Sequence, residues 1–199
     1  MDKVRVSALR ERLTGTGWLE AVGGFAGSLR HAVSRRGAGA LLLVGTEEYE
    51  PWHLAAHLDD EAAWSDVPRL APTLLRHRVP ARAPAHLAHG LRRLTEAGRG
   101  ATVLVVAPTA AGAPLLERVH DARRGGATVL ALDGPAERGE LAGLAHERLA
   151  VGTGEEEPFD LAQHLVSAAA GQAPARRGAL GRLAALAGRL GSGPGLSRW

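Results

Sequence analysis

The stretch from Ala101 to Gly134 constrains the fold of this chain more than any other part of it. An apolar run, Ala101–Ala107, leads through a turn of small residues at Pro108–Gly112 into a helical pattern over Pro114–Arg124, and a second apolar run, Ala127–Leu132, follows. This order predicts one βαβ unit, and so a parallel sheet. Ligands of open α/β sheets bind at the carboxyl ends of the strands, where the small-residue turn lies.

The rest of the first 170 residues repeats the alternation of helical and strand patterns. Strands alternating with helices predict a doubly wound, mostly parallel sheet in a three-layer αβα fold. Besides the βαβ unit, we predict a helical segment over 1–37 broken by Gly15, Gly17, Gly23 and Gly24, a strand at Ala38–Val44, a short helix from about Pro51, a short strand near Val67–Leu70, a helix at Pro84–Ala97, a short helix at Gly139–Ala145, a short strand at Glu147–Val151 and a last helix at Pro158–Ala170.

We expect one α/β domain over residues 1–170 and a separate tail over 171–199. The length of 199 residues suits one such domain with a full core. Beyond Gly171 the composition changes to Ala, Gly, Arg and Pro with few large apolar residues, which predicts a flexible tail. The alternative is a basic amphipathic helix over Ala179–Leu190 that contacts an anionic membrane or a partner.

Composition excludes several classes of function. The chain has no cysteine, so disulfides, thiolate metal ligands and cysteine nucleophiles are ruled out. The tail carries five arginines and no acid; subtracting this +5 from the total of +3 leaves about −2 for the first 170 residues. That balance argues against a nucleic-acid partner. The apolar runs are too short to span a bilayer and the amino-terminal residues are charged, so we expect a cytoplasmic protein.

Common catalytic motifs are missing from the strand ends. No Walker loop, dinucleotide fingerprint or nucleophile elbow follows any predicted strand, and the only lysine is Lys3. His53 and His57, four residues apart in H-L-A-A-H, have a spacing that can bind zinc. The glutamate of H-E-x-x-H is absent and no third ligand is evident, so the sequence predicts neither a metal site nor a cofactor.

The order of the predicted elements and two loops give the chain a family resemblance. The strand ending LLLVGT, the unit VLVVAPTAAGAPLLERVHDARRGGATVLALDG and the strand ending AVGTGEEEP, in this order, resemble the sugar isomerase (SIS) domains over about residues 5–170. These domains include phosphoheptose isomerase and have a flavodoxin-like architecture. The resemblance implies a phosphorylated sugar as ligand and pairing into a homo-oligomer through the amino-terminal helices.

The resemblance also implies site residues. In the family a turn of the form S-x-S-G-x-T holds the sugar phosphate; here Thr109 matches the first serine and Gly112 the glycine. Ala111 replaces the second serine and Pro114 the threonine. The loop with Glu155 and Glu157 resembles one that often supplies a catalytic glutamate. The full set of expected ligand-binding residues is Gly45, Thr46, Glu47, Thr109, Ala110, Ala111 and Gly112.

The differences between this turn and the phosphate-binding turn of the family determine the activity that we expect. Each lost hydroxyl removes a hydrogen bond to a charged group, worth about 1.5–3 kcal/mol. We therefore expect binding of a phosphorylated sugar or related small anion with little or no catalysis. Arginines of the basic run at 76–84 could offset the loss by gripping a phosphate; Arg76, Arg78 and Arg82 are the candidates. The alternatives are an active aldose–ketose isomerase using Glu155 or Glu157, and an interaction protein with a vestigial pocket.

Overall fold

The computed structural model describes residues 17–134, 139–152 and 158–172. The helices are α1 (Trp18–Ser34), α2 (Trp52–Trp64), α3 (Arg92–Thr95), α4 (Ala113–Arg124), α5 (Glu140–Leu144) and α6 (Pro158–Gly171). The strands are β1 (Leu41–Gly45), β2 (Pro72–Leu75), β3 (Thr102–Ala107), β4 (Thr128–Asp133) and β5 (Glu147–Ala150), and two 3₁₀ turns lie at Pro68–Leu70 and Ala85–Leu87.

The strands form one sheet in the order β2-β1-β3-β4-β5, and every pairing among them is parallel. The central strands β1 and β3 are buried along their whole length. Their sequences, LLLVG and TVLVVA, are nearly continuous apolar runs, as a strand covered on both faces requires. This confirms the predicted doubly wound parallel sheet.

Two hydrophobic cores cover the two faces of the sheet. On one face α1, α2 and α6 pack against Leu41, Leu43, Leu104 and Val106. On the other face α3, α4 and α5 pack against the side chains that alternate with these along each strand. The result is the predicted three-layer arrangement, in which α2 and α4, the helices that follow β1 and β3, lie on opposite faces.

The structure corrects four of the predicted elements. Gly23 and Gly24 do not interrupt α1, because its apolar side is buried along the helix and this packing outweighs the low helix propensity of glycine. The strand predicted near Val67–Leu70 is a 3₁₀ turn, and β2 begins after it at Pro72, on an edge strand that tolerates proline.

The other two corrections concern helices around the proline-rich segment. The helix predicted over Pro84–Ala97 is a 3₁₀ turn and the four-residue α3, because the chain between them pairs with the end of β2, where the His89 carbonyl accepts from the Arg76 amide. The short helix predicted from Pro51 extends for 13 residues, to Trp64. The predicted flexible tail comprises residues 171–199, of which all but the first two lie outside the described residues. No described helix is long and apolar enough to cross a membrane.

We predict that Gly45→Ala destabilises the protein by about 3 kcal/mol or more. A Cβ at this position would overlap the Tyr49 carbonyl oxygen and lie 2.7 Å from Cδ of Pro51, so the loop that follows β1 would have to move. The measurement is the free energy of unfolding in urea. Gly24→Ala is the control: its Cβ meets nothing within 4 Å on an exposed helix position, so it should stabilise by up to about 1 kcal/mol. Equal stability of the two variants would contradict the close approach at Gly45.

Candidate functional site

The carboxyl edge of the sheet opens between β1 and β3. The strands are paired in register, Val44 with Val105 and Gly45 with Val106, so their ends lie side by side. From β1 the chain turns toward α2 on one face, and from β3 it turns toward α4 on the other. The two loops therefore diverge, which makes this point the topological switch of the sheet, where open α/β sheets bind ligands.

Thr46 is the first residue beyond β1 at this point, and its side chain is unusual. The residue is 3% exposed, and its Oγ1 has no hydrogen-bond partner among the described residues. Side chains alternate along β1: Leu42 and Val44 face the core that contains α4. The same alternation places Thr46 on the α4 face. A buried hydroxyl without a partner costs free energy, which a ligand that accepts its hydrogen bond would recover.

The turn after β3 presents backbone donors at the same edge. Thr109, Ala110 and Gly112 are exposed and Ala111 is half-buried. In the described part of the chain the amides of these four residues donate to no carbonyl oxygen. Gly112 is the N-cap of the 12-residue α4 and supplies no side-chain cap. Uncapped amides at a helix start carry partial positive charge and bind anions.

Two of the three glutamates in the loop after β1 form ion pairs with arginines that follow β2. Glu47 forms an ion pair with Arg78, at 2.9 Å, with both side chains exposed. Glu50 accepts from Nε and Nη2 of Arg76 at 3.0–3.1 Å, and the Arg76 guanidinium lies 5.2 Å from the centre of the Trp52 ring. These two arginines therefore bind glutamates of this chain. Arg82, the third arginine considered, is exposed.

A buried ion pair at the end of β4 was not expected from the sequence. Both carboxylate oxygens of Asp133 accept from Nε of Arg148, at 2.9 Å, and the Asp133 residue is 6% exposed. Burial raises the pKa of the Asp133 carboxyl, and the guanidinium of Arg148 partly offsets this rise. Asp133 pairs in register with Ala107 of β3, so this charge pair borders the same carboxyl edge. The aspartate at the end of β4 gives no sign in the sequence of its half-buried partner on β5.

The loop after β1 is tied to α6 through Tyr49. Its phenolic oxygen lies 2.9 Å from Nε2 and 3.2 Å from Oε1 of the fully buried Gln163. The Tyr49 ring also contacts Phe159 edge to face, with the centroids 6.0 Å apart. Burial raises the pKa of Tyr49, so the phenol stays protonated and keeps its role as donor. This contact holds the loop that carries Thr46.

The structure also adds a third imidazole to His53 and His57. His164 of α6 lies against both, with its ring centroid 4.0 Å from that of His57. The sequence shows the pair on α2 but not the third residue, because only the packing of α2 against α6 brings it there.

The two glutamates predicted as catalytic candidates, Glu155 and Glu157, lie outside the described residues.

A cavity of about 520 Å³ lies between α1 and the amino-terminal ends of β4 and β5, with His31, Arg35 and His146 in its lining. It is at the opposite edge of the sheet from Thr46.

Comparison with solved structures identifies the fold. A proposed sugar binding protein from Salmonella typhimurium LT2 superposes with a TM-score of 0.60 at 18% identity, over 96% of this chain and 53% of that one. Phosphoheptose isomerase GmhA from Neisseria gonorrhoeae gives 0.53 at 16%, over 85% and 90%. The sugar isomerase domain of an RpiR transcription factor from Sphaerobacter thermophilus gives 0.52 at 13%, over 94% and 96%. The chain has the SIS fold.

The comparisons define the extent of this likeness. This SIS-fold chain spans about half the length of the Salmonella protein and most of the other two. No family model matches the sequence, and no curated protein matches it. At identities of 18% or less, the likeness shows the architecture that the sequence resemblance implied, and the ligand is a separate question.

We predict that Tyr49→Phe lowers the free energy of unfolding by about 1–2 kcal/mol. The phenylalanine keeps the contact with Phe159 but leaves Oε1 of buried Gln163 without its donor. Urea unfolding measures the change. The double variant Tyr49→Phe/Gln163→Met should recover part of the loss, because no unpaired amide then remains. Wild-type stability of Tyr49→Phe would show that the hydrogen bond does not hold the loop.

Proposed function

We propose that this SIS-fold domain binds a phosphorylated sugar, or a related small anion, between the loops that follow β1 and β3, with little or no catalysis. The observation that carries the proposal is the buried hydroxyl of Thr46, which has no partner among the described residues, at the same sheet edge as four backbone amides of the turn before α4 that donate to no carbonyl oxygen there. The donors come from two neighbouring strand ends, and an anion accepts from several donors at once.

The charges around the loops agree with an anionic ligand. Glu47 and Glu50 would repel an anion, but each is paired with an arginine, and the third glutamate of the loop, Glu48, is exposed to solvent. The start of α4 contributes about half a positive charge, and its first turn contains no acidic residue. The binding energy then comes mostly from hydrogen bonds to backbone amides and to Thr46. Since Ala111 and Pro114 provide no hydroxyl, we expect weaker binding than a turn rich in serine would give.

The structural neighbours support the ligand class. They include a phosphoheptose isomerase and the sugar isomerase domain of a transcription factor. A shared fold alone does not establish function. The proposed ligand class therefore rests on the fold together with the hydrogen-bond donors at the switch point. The homo-oligomer and the cytoplasmic location expected from the sequence stay predictions. The isomerase alternative depends on Glu155 and Glu157.

We predict that the protein binds pentose, hexose and heptose phosphates in preference to the same sugars without phosphate. Titration calorimetry gives the affinities. Thr46→Val, which removes only the hydroxyl, should weaken binding roughly 10–100-fold, the loss of one hydrogen bond to a charged group. Thr102→Val is the matched control: Thr102 also has a buried, unpartnered Oγ1, but it lies at the amino end of β3. Equal affinity of the two variants, or no binding of any phosphate, would contradict the proposal.

A second pair of variants tests the backbone donors. Gly112 has φ −71°, which the proline ring accepts, so Gly112→Pro removes one amide hydrogen with little strain at that residue. We expect at least about tenfold weaker binding of the best sugar phosphate. Gly112→Ala keeps the amide, and its Cβ meets only Cδ of Pro114, at 3.7 Å. Circular dichroism confirms that both variants fold. The same loss in both would assign the effect to the shape of the turn rather than to the amide.

A further inference from the structure

Three imidazoles converge at the seam between α2 and α6. Nε2 of His53 lies 3.2 Å from Nε2 of His57, and the His57 and His164 ring centroids are 4.0 Å apart. One ring nitrogen from each of the three lies within 4.8 Å of the others. His53 is exposed, while His57 and His164 are half-buried, so the cluster opens to solvent on the His53 side. In the described part of the chain this is the one such group of His, Asp and Glu ligands.

The placement of the three imidazoles follows from how α2 and α6 pack against each other. His53 and His57 are one turn apart on the same side of α2, and α2 packs against α6 across the core on that face of the sheet. Buried side chains on both helices, Leu54 and Leu58 on α2 and Leu165 on α6, fix their relative position. The imidazoles are therefore held by rigid elements rather than by a loop, which keeps ligand geometry well defined.

The protonation state suits ligation. Burial and the neighbouring imidazoles lower the pKa of both His57 and His164, while Asp60 acts on His57 in the opposite direction. Burial therefore favours the neutral imidazole, which has a lone pair available on one nitrogen. The three rings have one hydrogen bond among them, between His53 and His57. A cation at the centre would satisfy all three.

We propose that His53, His57 and His164 form a binding site for one divalent first-row transition metal ion, with Zn²⁺ as the reference case. Zinc–nitrogen bonds of about 2.0–2.1 Å in a tetrahedron place ligand nitrogens about 3.3 Å apart. The His53–His57 separation already matches this, and a ring nitrogen of His164 lies within 4.8 Å of both. All-imidazole ligation selects Zn²⁺, Co²⁺, Ni²⁺ or Cu²⁺ over Mg²⁺ and Ca²⁺, which need oxygen ligands.

Three protein ligands leave the fourth position for water or for an anionic group of a ligand. The proposed metal site shares no residue with the sugar phosphate site proposed above. The histidines lie on the face of the sheet covered by α1, α2 and α6, whereas Thr46 and the start of α4 lie toward the other face. The two sites can therefore be tested separately with the variants of each.

The test measures metal binding by the full-length protein without a polyhistidine tag, after treatment with a chelator. Titration calorimetry with Zn²⁺ should give one ion per chain, and Co²⁺ should give the visible absorption of a four-coordinate complex with nitrogen ligands. His53→Gln, His57→Gln and His164→Gln should each weaken binding by about 100-fold or more, since even the outer partners of metal ligands are worth about 10–100-fold. Mg²⁺ should not bind.

His120→Gln is the matched control, because His120 is an exposed histidine of α4 on the opposite face of the sheet. It should bind Zn²⁺ as the wild type does, and so should Thr46→Val. Circular dichroism and melting temperature in the presence of chelator confirm that each variant folds. No Zn²⁺ binding at micromolar concentration would overturn the proposal. So would unchanged affinity in the His164→Gln variant, which would reduce the site to the pair on α2.

Discussion

The parallel pairing of β1 with β3 is the constraint on which the rest of this structure depends. Both strands are apolar along their length and buried on both faces, so helices must cover each side of the sheet. The strand order β2-β1-β3-β4-β5 reverses direction at this pair. The helix after β1 therefore lies on one face and the helix after β3 on the other. The gap between their loops follows from the topology, before any functional side chain is considered.

The polar groups at this gap share one property: they lack partners within the described protein. The hydroxyl of Thr46 is buried without an acceptor or donor, and the turn before α4 leaves its amides unused. Six charged groups nearby are, by contrast, paired: Arg76 with Glu50, Arg78 with Glu47, and Arg148 with Asp133. Neutral donors without partners next to paired charged groups point to a site that binds an anion through neutral donors and a helix dipole. The charged side chains then bind one another rather than the anion.

The sequence predicted the elements that are regular and long, and missed contacts between distant residues. Continuous apolar runs gave β1, β3 and β4, because a strand buried on both faces has no other pattern. The prediction for the proline-rich segment between α2 and β3 was wrong in detail. The short elements of this segment are determined by tertiary packing rather than by local propensity. The orphan hydroxyl of Thr46, the Asp133–Arg148 pair and the approach of His164 to His57 depend on packing between separate elements, and no local pattern encodes them.

The most direct measurement of the central claim is a titration of the ¹⁵N-labelled protein with a sugar phosphate, followed by amide chemical shifts. If the anion is held by backbone donors at the switch point, the amide protons of Thr109, Ala110, Ala111 and Gly112 move downfield together, as expected when a hydrogen bond to an anion forms. The chemical shifts of the amides around Thr102 and Thr128, at the amino edge of the sheet, then do not change. Saturable shifts confined to the amino edge, or to the cavity beside α1, would contradict the account.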